Sequence, residues 1–180
     1  VEAQLAELSM ANCRFNIALN SIDASEHLPG HGLEDVSFLI STNPGSQPGP
    51  LNKIASGGEL SRISLAIQVI TAQTSRIPTL VFDEVDVGIG GPTAEIVGQL
   101  LRRLGERGQV MTVTHLPQVA AQGHQHLFVH KVRENDATRT AVSKLSKNER
   151  VEEVARMLGG IDLTKESLAH AKKMVVAAKS

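Results

Sequence analysis

The sequence has few of the groups on which several classes of protein depend. It contains no tryptophan, no tyrosine and only four phenylalanines among 180 residues. Proteins that bind single-stranded nucleic acid usually stack the bases on aromatic rings, so the composition disfavours that class. The 18 lysines and arginines are balanced by 19 acidic residues, and the formal net charge is -1. The chain therefore lacks the basic excess that marks a nucleic-acid-binding surface.

Cysteine and long apolar runs are also scarce. Cys13 is the only cysteine, which excludes a disulfide within the chain and fits a reducing compartment. No apolar run approaches the ~20 residues that a membrane span needs, and the chain does not start with a basic-then-apolar leader. Since 41% of the residues are hydrophobic, the chain can bury a core, and we expect a globular protein without a membrane partner.

Apolar periodicity predicts short elements of both kinds. Helices are predicted at residues 1–12, from residue 56, and at 93–104, 149–158 and 165–178. Strands are predicted at residues 15–22, 36–40, 79–82, 110–114, 127–132 and 140–145. The continuous apolar runs 79–82 and 110–114 are typical of strands buried on both faces. Because strands and helices alternate in the middle of the chain, the pattern favours an α/β fold with a mostly parallel sheet flanked by helices.

Residues 56–59 read Ser-Gly-Gly-Glu at the start of a predicted helix. Ser56 and Glu59 have the spacing of a capping box, in which each side chain accepts from the other's backbone N–H group. Gly57 and Gly58 fit a cap less well, since glycine costs ~1 kcal/mol relative to alanine in a helix. They suit a helix start whose N–H groups approach an anion such as phosphate, and both interpretations stay open. The predicted apolar stripe of this helix is Leu60, Ile63, Ile67 and Ile70.

Two adjacent carboxylates, Asp83 and Glu84, directly follow the predicted strand 79–82. In open α/β sheets, ligands bind at the carboxyl ends of the strands. One carboxylate can hold Mg²⁺, and the next can orient or deprotonate an attacking water. The structural alternative is a solvated acidic turn, which the pair alone does not exclude.

His115 ends the predicted strand 110–114. A lone histidine is more often structural than catalytic, but its position matches that of Asp83 and Glu84 on another strand. If the two strands are neighbours, the three side chains share one crevice. There His115 could contact a phosphate oxygen or the attacking water.

In combination, these motifs resemble the head of the ABC-type ATPases. Residues 56–59 look like the signature motif, 80–83 like Walker B, Glu84 like the catalytic glutamate and His115 like the switch histidine. The flanking sequences are similar to those of the RecN family of bacterial DNA repair proteins, an SMC-like branch of these ATPases. The segments that carry this similarity are 53–62 (KIASGGELSR), 82–92 (FDEVDVGIGGP) and 114–121 (THLPQVAA).

The resemblance covers nearly the whole chain and implies the C-terminal half of an ATPase head. Residues 1–12 would be the end of a coiled-coil helix, and 13–180 the C-terminal lobe. Two heads would sandwich two ATP molecules, with Asp86 at the seam between them. The nucleotide-binding residues implied in this way are Ser56, Gly57, Gly58, Glu59 and Asp86. Asp83 would support Mg²⁺, Glu84 would activate water and His115 would steady the γ-phosphate.

One motif of such a head is missing. No Gly-x-x-x-x-Gly-Lys-Ser/Thr phosphate loop occurs in the sequence, and in the resembled family it lies in an N-terminal half. The chain alone is therefore expected to bind ATP weakly and to expose sheet surface that this half would cover. The other implied partners are a second head, forming a homodimer, and DNA. The implied location is the bacterial cytoplasm, at the nucleoid.

Three alternatives remain beside this interpretation. The chain could come from the head of another SMC-like or ABC protein. A transporter subunit is disfavoured because residues 85–88 differ from the Ala-Leu-Asp loop that usually follows the acidic pair in transporters. A structural domain without turnover is disfavoured for the intact protein because Asp83 and Glu84 are both present.

A histidine-rich segment suggests a weaker possibility. His124, His126 and His130 fall on one face of a predicted strand, at a spacing that could hold a transition metal. No cysteine or carboxylate completes the set nearby, so a solvated strand face is the favoured interpretation.

Overall fold

The computed structural model describes residues 1–22, 30, 32–74, 77–83, 85–134, 137–159 and 163–178. Glu84, to which the sequence assigns the activation of water, lies outside the described residues. The chain divides into two compact units, Val1–Thr74 and Ser75–Ser180. The predicted lobe 13–180 thus comprises most of the first unit and all of the second.

The first unit contains an antiparallel sheet and a long helix. Its elements are α1 (Glu2–Glu7), β1 (Arg14–Ser21), β2 (Glu34–Ser41), β3 (Gly49–Pro50), α2 (Leu51–Ile54) and α3 (Gly57–Thr74). The strands lie in the order β1-β2-β3, and both pairs are antiparallel. Alternate apolar residues of β1 and β2 face each other, with Ile17 opposite Phe38 and Phe15 opposite Ile40.

Helix α1 is shorter than the predicted helix 1–12. It ends at Glu7, and Ser9 adopts a left-handed conformation with φ of 64°, which a continuing α-helix does not allow. Leu5 and Leu8 are fully buried, and α1 contacts α3. The apolar residues of this segment therefore pack within the first unit, and its place in a coiled coil stays a prediction.

The buried face of α3 differs from the predicted stripe. Leu60 is 41% exposed, whereas Ile63 and Ala66 are fully buried. The buried apolar side chains of this helix are Ile63, Leu65, Ala66 and Val69. The predicted stripe rests on large aliphatic residues alone, and it misses the small Ala66 together with Leu65 and Val69 beside it.

The second unit contains a parallel strand pair, a hairpin and four helices in its described part. Its elements are β4 (Thr79–Phe82), α4 (Gly91–Gly105), β5 (Gln109–Thr112), α5 (Pro117–Gln122), β6 (Leu127–Glu134), β7 (Ala137–Lys144), α6 (Lys147–Gly159) and α7 (Lys165–Ala177). β4 and β5 are parallel neighbours, and β6 and β7 form an antiparallel pair. Among the described strands, the parallel arrangement is therefore confined to β4 and β5.

The prediction that β4 and β5 are buried on both faces is wrong for this chain. Phe82 is buried, but Val81 is 66% exposed, and Met111 and Val113 are exposed as well. Successive side chains of a strand point to opposite faces of the sheet, and α4 contacts β5. One face of the pair is thus open, as expected for a sheet surface that another segment would cover.

The helices of the second unit enclose α5. Gly98 of α4 lies close to α5, because a Cβ atom there would be 3.1 Å from both the Gln118 carbonyl oxygen and the Val119 Cα. On another side, α5 contacts α6 and α7. The core cluster at this contact consists of Ala121, Val154, Ala155, Ala171 and Val175. No helix in the described ranges has both the length and the apolarity needed to cross a membrane.

Candidate functional site

The carboxyl ends of β4 and β5 meet at one edge of the second unit. The strands are paired up to Phe82 and Thr112, and the Val113 N–H group donates to the Phe82 carbonyl at 2.9 Å. Asp83 and His115 follow these ends. β4 and β5 are therefore neighbours, which is the condition under which the sequence brings these side chains to one crevice. The Asp83 side chain is exposed, and that of His115 is 69% exposed, so both can reach a bound molecule.

Asp86 has a different environment from the one predicted. Its side chain is only 1% exposed, so it does not offer a surface to a second molecule in this structure. One carboxylate oxygen accepts from the Thr114 hydroxyl and from the His115 backbone N–H group, the latter at 3.3 Å. The same oxygen is 3.6 Å from Nδ1 of His115. Asp86 therefore joins the turn after β4 to the segment after β5.

Thr114, which the motifs of the sequence do not single out, completes this network. Its hydroxyl donates to Asp86 and accepts from the Leu116 N–H group at 3.0 Å. The backbone on both sides of His115 is thereby fixed by side chains, while the imidazole stays exposed. In the sequence, this network is marked by a hydroxyl residue directly before the histidine and by a carboxylate two residues after the acidic pair.

Ser56 and Glu59 form the predicted capping box at the start of α3. Glu59 Oε2 accepts from the Ser56 N–H group at 2.8 Å, and Ser56 Oγ accepts from the Glu59 N–H group at 3.4 Å. The Ser56 backbone N–H group, and after it the Ser56 side chain, lower the pKa of Glu59, because hydrogen bonds to the carboxylate stabilise its ionised form. The capping interpretation of these two residues is confirmed.

The cap does not use the backbone groups of the two glycines between them. Gly57 and Gly58 are the first two residues of α3, where N–H groups have no carbonyl partner within the helix. A Cβ atom at Gly57 would meet nothing within 4 Å, so the space beside this helix start is open. Open N–H groups at a helix start fit an anion, and the capping box and an anion site can coexist here.

The edge at the carboxyl ends of β4 and β5, which carries Asp83 and is called the acidic edge below, differs from a site that holds a metal by protein side chains alone. In the described part of the chain, no three histidine, cysteine, aspartate or glutamate residues are grouped so as to hold a metal ion. Mg²⁺ does not need such a group, because it is usually held by one or two carboxylates together with substrate phosphates. The exposed carboxylate of Asp83 suits that form of binding.

The three histidines do not lie on one strand face, and that prediction is wrong. β6 begins at Leu127, so His124 and His126 precede it, and only His130 belongs to the strand. The His130 ring stacks on Phe128 with 5.3 Å between the ring centroids. His126 is partly buried beside α6, where burial and the nearby Arg150 lower its pKa, while Glu153 opposes them.

The environment of His126 predicts that acid lowers the stability of the protein. The pKa of His126 in the folded state lies below its ordinary value of 6.5. The unfolded state therefore binds more protons below that value, and stability falls as the pH decreases from about 6.5 towards the folded-state pKa. Replacing His126 by glutamine is expected to reduce this loss, measured as the melting temperature at pH 7.5, 6.5 and 5.5. His124→Gln, at an exposed position, is the matched control. Equal acid losses in the wild type and in His126→Gln would contradict the prediction.

Comparison with known proteins identifies similar sequences. No protein-family model matches the chain. The DNA repair protein RecN of Vibrio cholerae is 52% identical over 99% of this chain, and that of Haemophilus influenzae is 51% identical over 97%. RecN of Treponema pallidum is 43% identical over 98%. The chain spans about a third of the length of these relatives, with 32%, 31% and 31% covered.

Solved structures show the same fold at much lower identity. The Smc head domain of Pyrococcus yayanosii, with its coiled coil and joint, matches 85% of this chain with a TM-score of 0.63 and 15% identity. This chain covers 27% of that structure. A structure from work on the ATP-driven dimerization and DNA stimulated activation of SMC ATPases matches with a TM-score of 0.59 and 14% identity, covering 89% of both chains. At these identities, the likeness establishes the fold alone, which is that of part of an Smc head domain.

Proposed function

Because the chain belongs to the RecN family of bacterial DNA repair proteins, we propose that it supplies the C-terminal half of an ATPase head that acts in DNA double-strand-break repair. The observation that carries this proposal is the shared edge of β4 and β5. There, parallel pairing brings an exposed Asp83 and an exposed His115 to neighbouring strand ends. That is the place where open α/β sheets bind their ligands.

In the proposed mechanism, the start of α3 binds the γ-phosphate of an ATP molecule held by a second head. The N–H groups of Gly57 and Gly58 point out of the first turn, and the space at Gly57 is open to an approaching phosphate. The helix dipole favours a negative charge at this end. Ser56 lies beside them, and Glu59 keeps its backbone in place through the capping box.

The acidic edge would carry the hydrolysis. Asp83 would hold Mg²⁺, which would neutralise charge on the phosphates. Glu84 takes a proton from the attacking water as a general base. The exposed imidazole of His115 donates to the γ-phosphate. The buried Asp86 fixes the backbone N–H group of His115 and so holds that residue at the strand end.

The head needs a part that this sequence does not contain. No Walker A motif occurs in it, and the relatives are about three times as long. We propose that the N-terminal half of the same head supplies Walker A and covers the exposed apolar residues Val81, Met111 and Val113. Because these side chains are already about half buried, completing their burial would contribute about 1–2 kcal/mol each.

A second head and DNA are the further proposed partners, in the cytoplasm at the nucleoid. ATP would bridge two identical heads, and hydrolysis would separate them, because ATP binds the paired state better. One of the similar structures, with a TM-score of 0.59, comes from work on SMC ATPases, and that work describes their ATP-driven dimerization and DNA stimulated activation. The balanced charge of this chain gives no independent support for DNA contact.

Light scattering of the full-length protein carrying Glu84→Gln, with and without ATP and Mg²⁺, tests the proposal. The substitution keeps ATP from being consumed during the measurement. A mass that doubles only when ATP is present would support the two-head mechanism. A mass that stays monomeric while ATP is bound would overturn head pairing, and absence of ATP binding would overturn the nucleotide site.

Replacing Ser56 by arginine is expected to block ATP-dependent pairing of heads without unfolding the chain. Loss of the cap costs about 1 kcal/mol, whereas the long side chain would occupy the open space that a phosphate needs. Sedimentation with ATP and far-UV circular dichroism measure the two effects. Ser56→Ala removes the same cap without adding bulk and is expected to retain most pairing. If Ser56→Arg unfolds the chain, and the heads of Ser56→Ala also fail to pair when ATP is added, residues 56–59 act only as a structural cap.

A further inference from the structure

Two arginines bind the C-terminal end of α5, the short helix that follows His115. Arg150 of α6 donates to the Ala121 carbonyl oxygen at 2.7 Å and to that of Ala120 at 3.3 Å. Arg102 of α4 donates to the Gln122 carbonyl oxygen at 2.7 Å. Each of the last three carbonyl groups of α5 thus accepts from a guanidinium, in a position where a helix lacks internal donors.

Arg150 is an uncommon residue in such a place. Its side chain is 8% exposed, and in the part of the chain that the structure describes no carboxylate pairs with it. A buried guanidinium without an opposite charge is costly, and an apolar residue of similar volume would pack there at lower cost. Burial and, after it, the neighbouring positive charge of Arg102 lower the pKa of Arg150, because both disfavour a charge at this place.

The other end of α5 lies next to the candidate site. α5 begins at Pro117, two residues after His115, and its six residues span about 9 Å. The Leu116 carbonyl accepts from the Ala120 N–H group at 3.0 Å, which ties the residue after His115 to the first turn. Asp86 holds the His115 N–H group from the strand side. The segment that carries His115 is therefore fixed between Asp86 and the helix that the arginines bind.

We infer that Arg150, assisted by Arg102, is a positioning residue for His115 and acts by fixing α5 from its C-terminal end. The inference rests on the proposed function, since it gives His115 a γ-phosphate to contact. Neither arginine touches the nucleotide in this mechanism. Removing them displaces α5 along its axis or tilts it, and the imidazole of His115 then misses the phosphate.

The test is a double-mutant cycle in the full-length protein. Arg150→Met keeps an unbranched apolar stem in a shorter side chain and removes the donors, and His115→Ala removes the group on which Arg150 is inferred to act. Hydrogen-bonded partners that orient metal ligands typically contribute 10–100-fold, and by analogy Arg150→Met is expected to lower kcat for ATP hydrolysis about tenfold, with KM within twofold. In the His115→Ala background, the same substitution is expected to change kcat by less than twofold.

Matched variants separate positioning from folding. Arg156→Met removes an arginine of the same helix whose guanidinium donates to Glu153, and it is expected to leave kcat and KM unchanged. Arg102→Met removes only the hydrogen bond to the Gln122 carbonyl, and it replaces Arg150→Met in the test if that variant does not fold. Arg150→Lys keeps the charge but not the forked donors, and is expected to restore part of kcat.

The outcomes distinguish this inference from the proposed function. Equal losses of kcat from Arg150→Met with and without His115 would overturn the inference and leave the ATPase proposal standing. Unchanged kcat in both Arg150→Met and Arg102→Met would overturn it as well. Absence of ATP turnover in the wild type, or of any effect of His115→Ala, would overturn the proposed function and the inference that rests on it.

Discussion

Glutamine in place of Glu84 is expected to lower the rate of ATP hydrolysis by the full-length protein by a factor of about 10²–10⁴. The amide cannot accept a proton from the attacking water, whereas its size and its hydrogen-bonding reach resemble those of the carboxylate. ATP binding should therefore remain within a fewfold of the wild type. Phosphate release at saturating ATP measures the first effect, and titration with a fluorescent ATP analogue measures the second.

Glu95→Gln is the matched control for this substitution. Glu95 is an exposed carboxylate of α4, and its change to glutamine alters the net charge by the same amount. We expect this control to hydrolyse ATP at the wild-type rate. Wild-type turnover in Glu84→Gln would remove Glu84 from its role as the base, and the exposed carboxylate of Asp83 would then be the next group to test.

Alanine in place of Gly98 is expected to destabilise the second unit by about 1–3 kcal/mol. The added Cβ would lie 2.7 Å from the Gln122 Cγ and 3.1 Å from backbone atoms of α5. Backbone atoms of a packed helix cannot move aside as a flexible side chain can. This cost exceeds the ~1 kcal/mol that alanine contributes to helix propensity. Urea unfolding followed by circular dichroism gives the change in free energy of unfolding.

Gly105 of the same helix offers the comparison. A Cβ atom there would be 3.4 Å from the exposed His124 ring, an ordinary contact. Gly105→Ala is therefore expected to leave stability unchanged or to raise it slightly. If Gly98→Ala proves as stable as the wild type, the close approach of α4 and α5 is not maintained in solution, and α4 does not fix α5 from this side.

The sequence predicts the described strands other than the two-residue β3, and most of the helices, to within a few residues. Period-two alternation and short apolar runs mark strands wherever a sheet face is covered, and the strand at residues 79–82 coincides with β4. The errors have physical causes. Ser9 ends α1 early because its backbone is left-handed. Val81 is exposed because no described segment packs on that face of β4, and an apolar run does not reveal which segments will cover a strand.

The candidate site is predictable only in part. Because carboxyl ends of parallel strands share an edge, the sequence predicts that Asp83 and His115 approach each other. The hydrogen bonds that organise this edge leave no recognisable pattern in the sequence. Arg150 donates to a carbonyl 30 residues away, and any residue type supplies that acceptor equally well. The family resemblance places Asp86 at a seam between heads, whereas its burial under Thr114 and His115 follows from packing that no local spacing reports.

The open face of β4 and β5 also bears on protein quality control in the cell. Exposed apolar residues beside strand edges are the features through which incomplete proteins aggregate. If the head is built from two halves, a chain cut between them would display Val81, Met111 and Val113 together on one surface. Chaperones and proteases that bind such surfaces would then recognise a severed head. Cleavage between the halves would thus lead to removal of the protein as well as to loss of ATP hydrolysis.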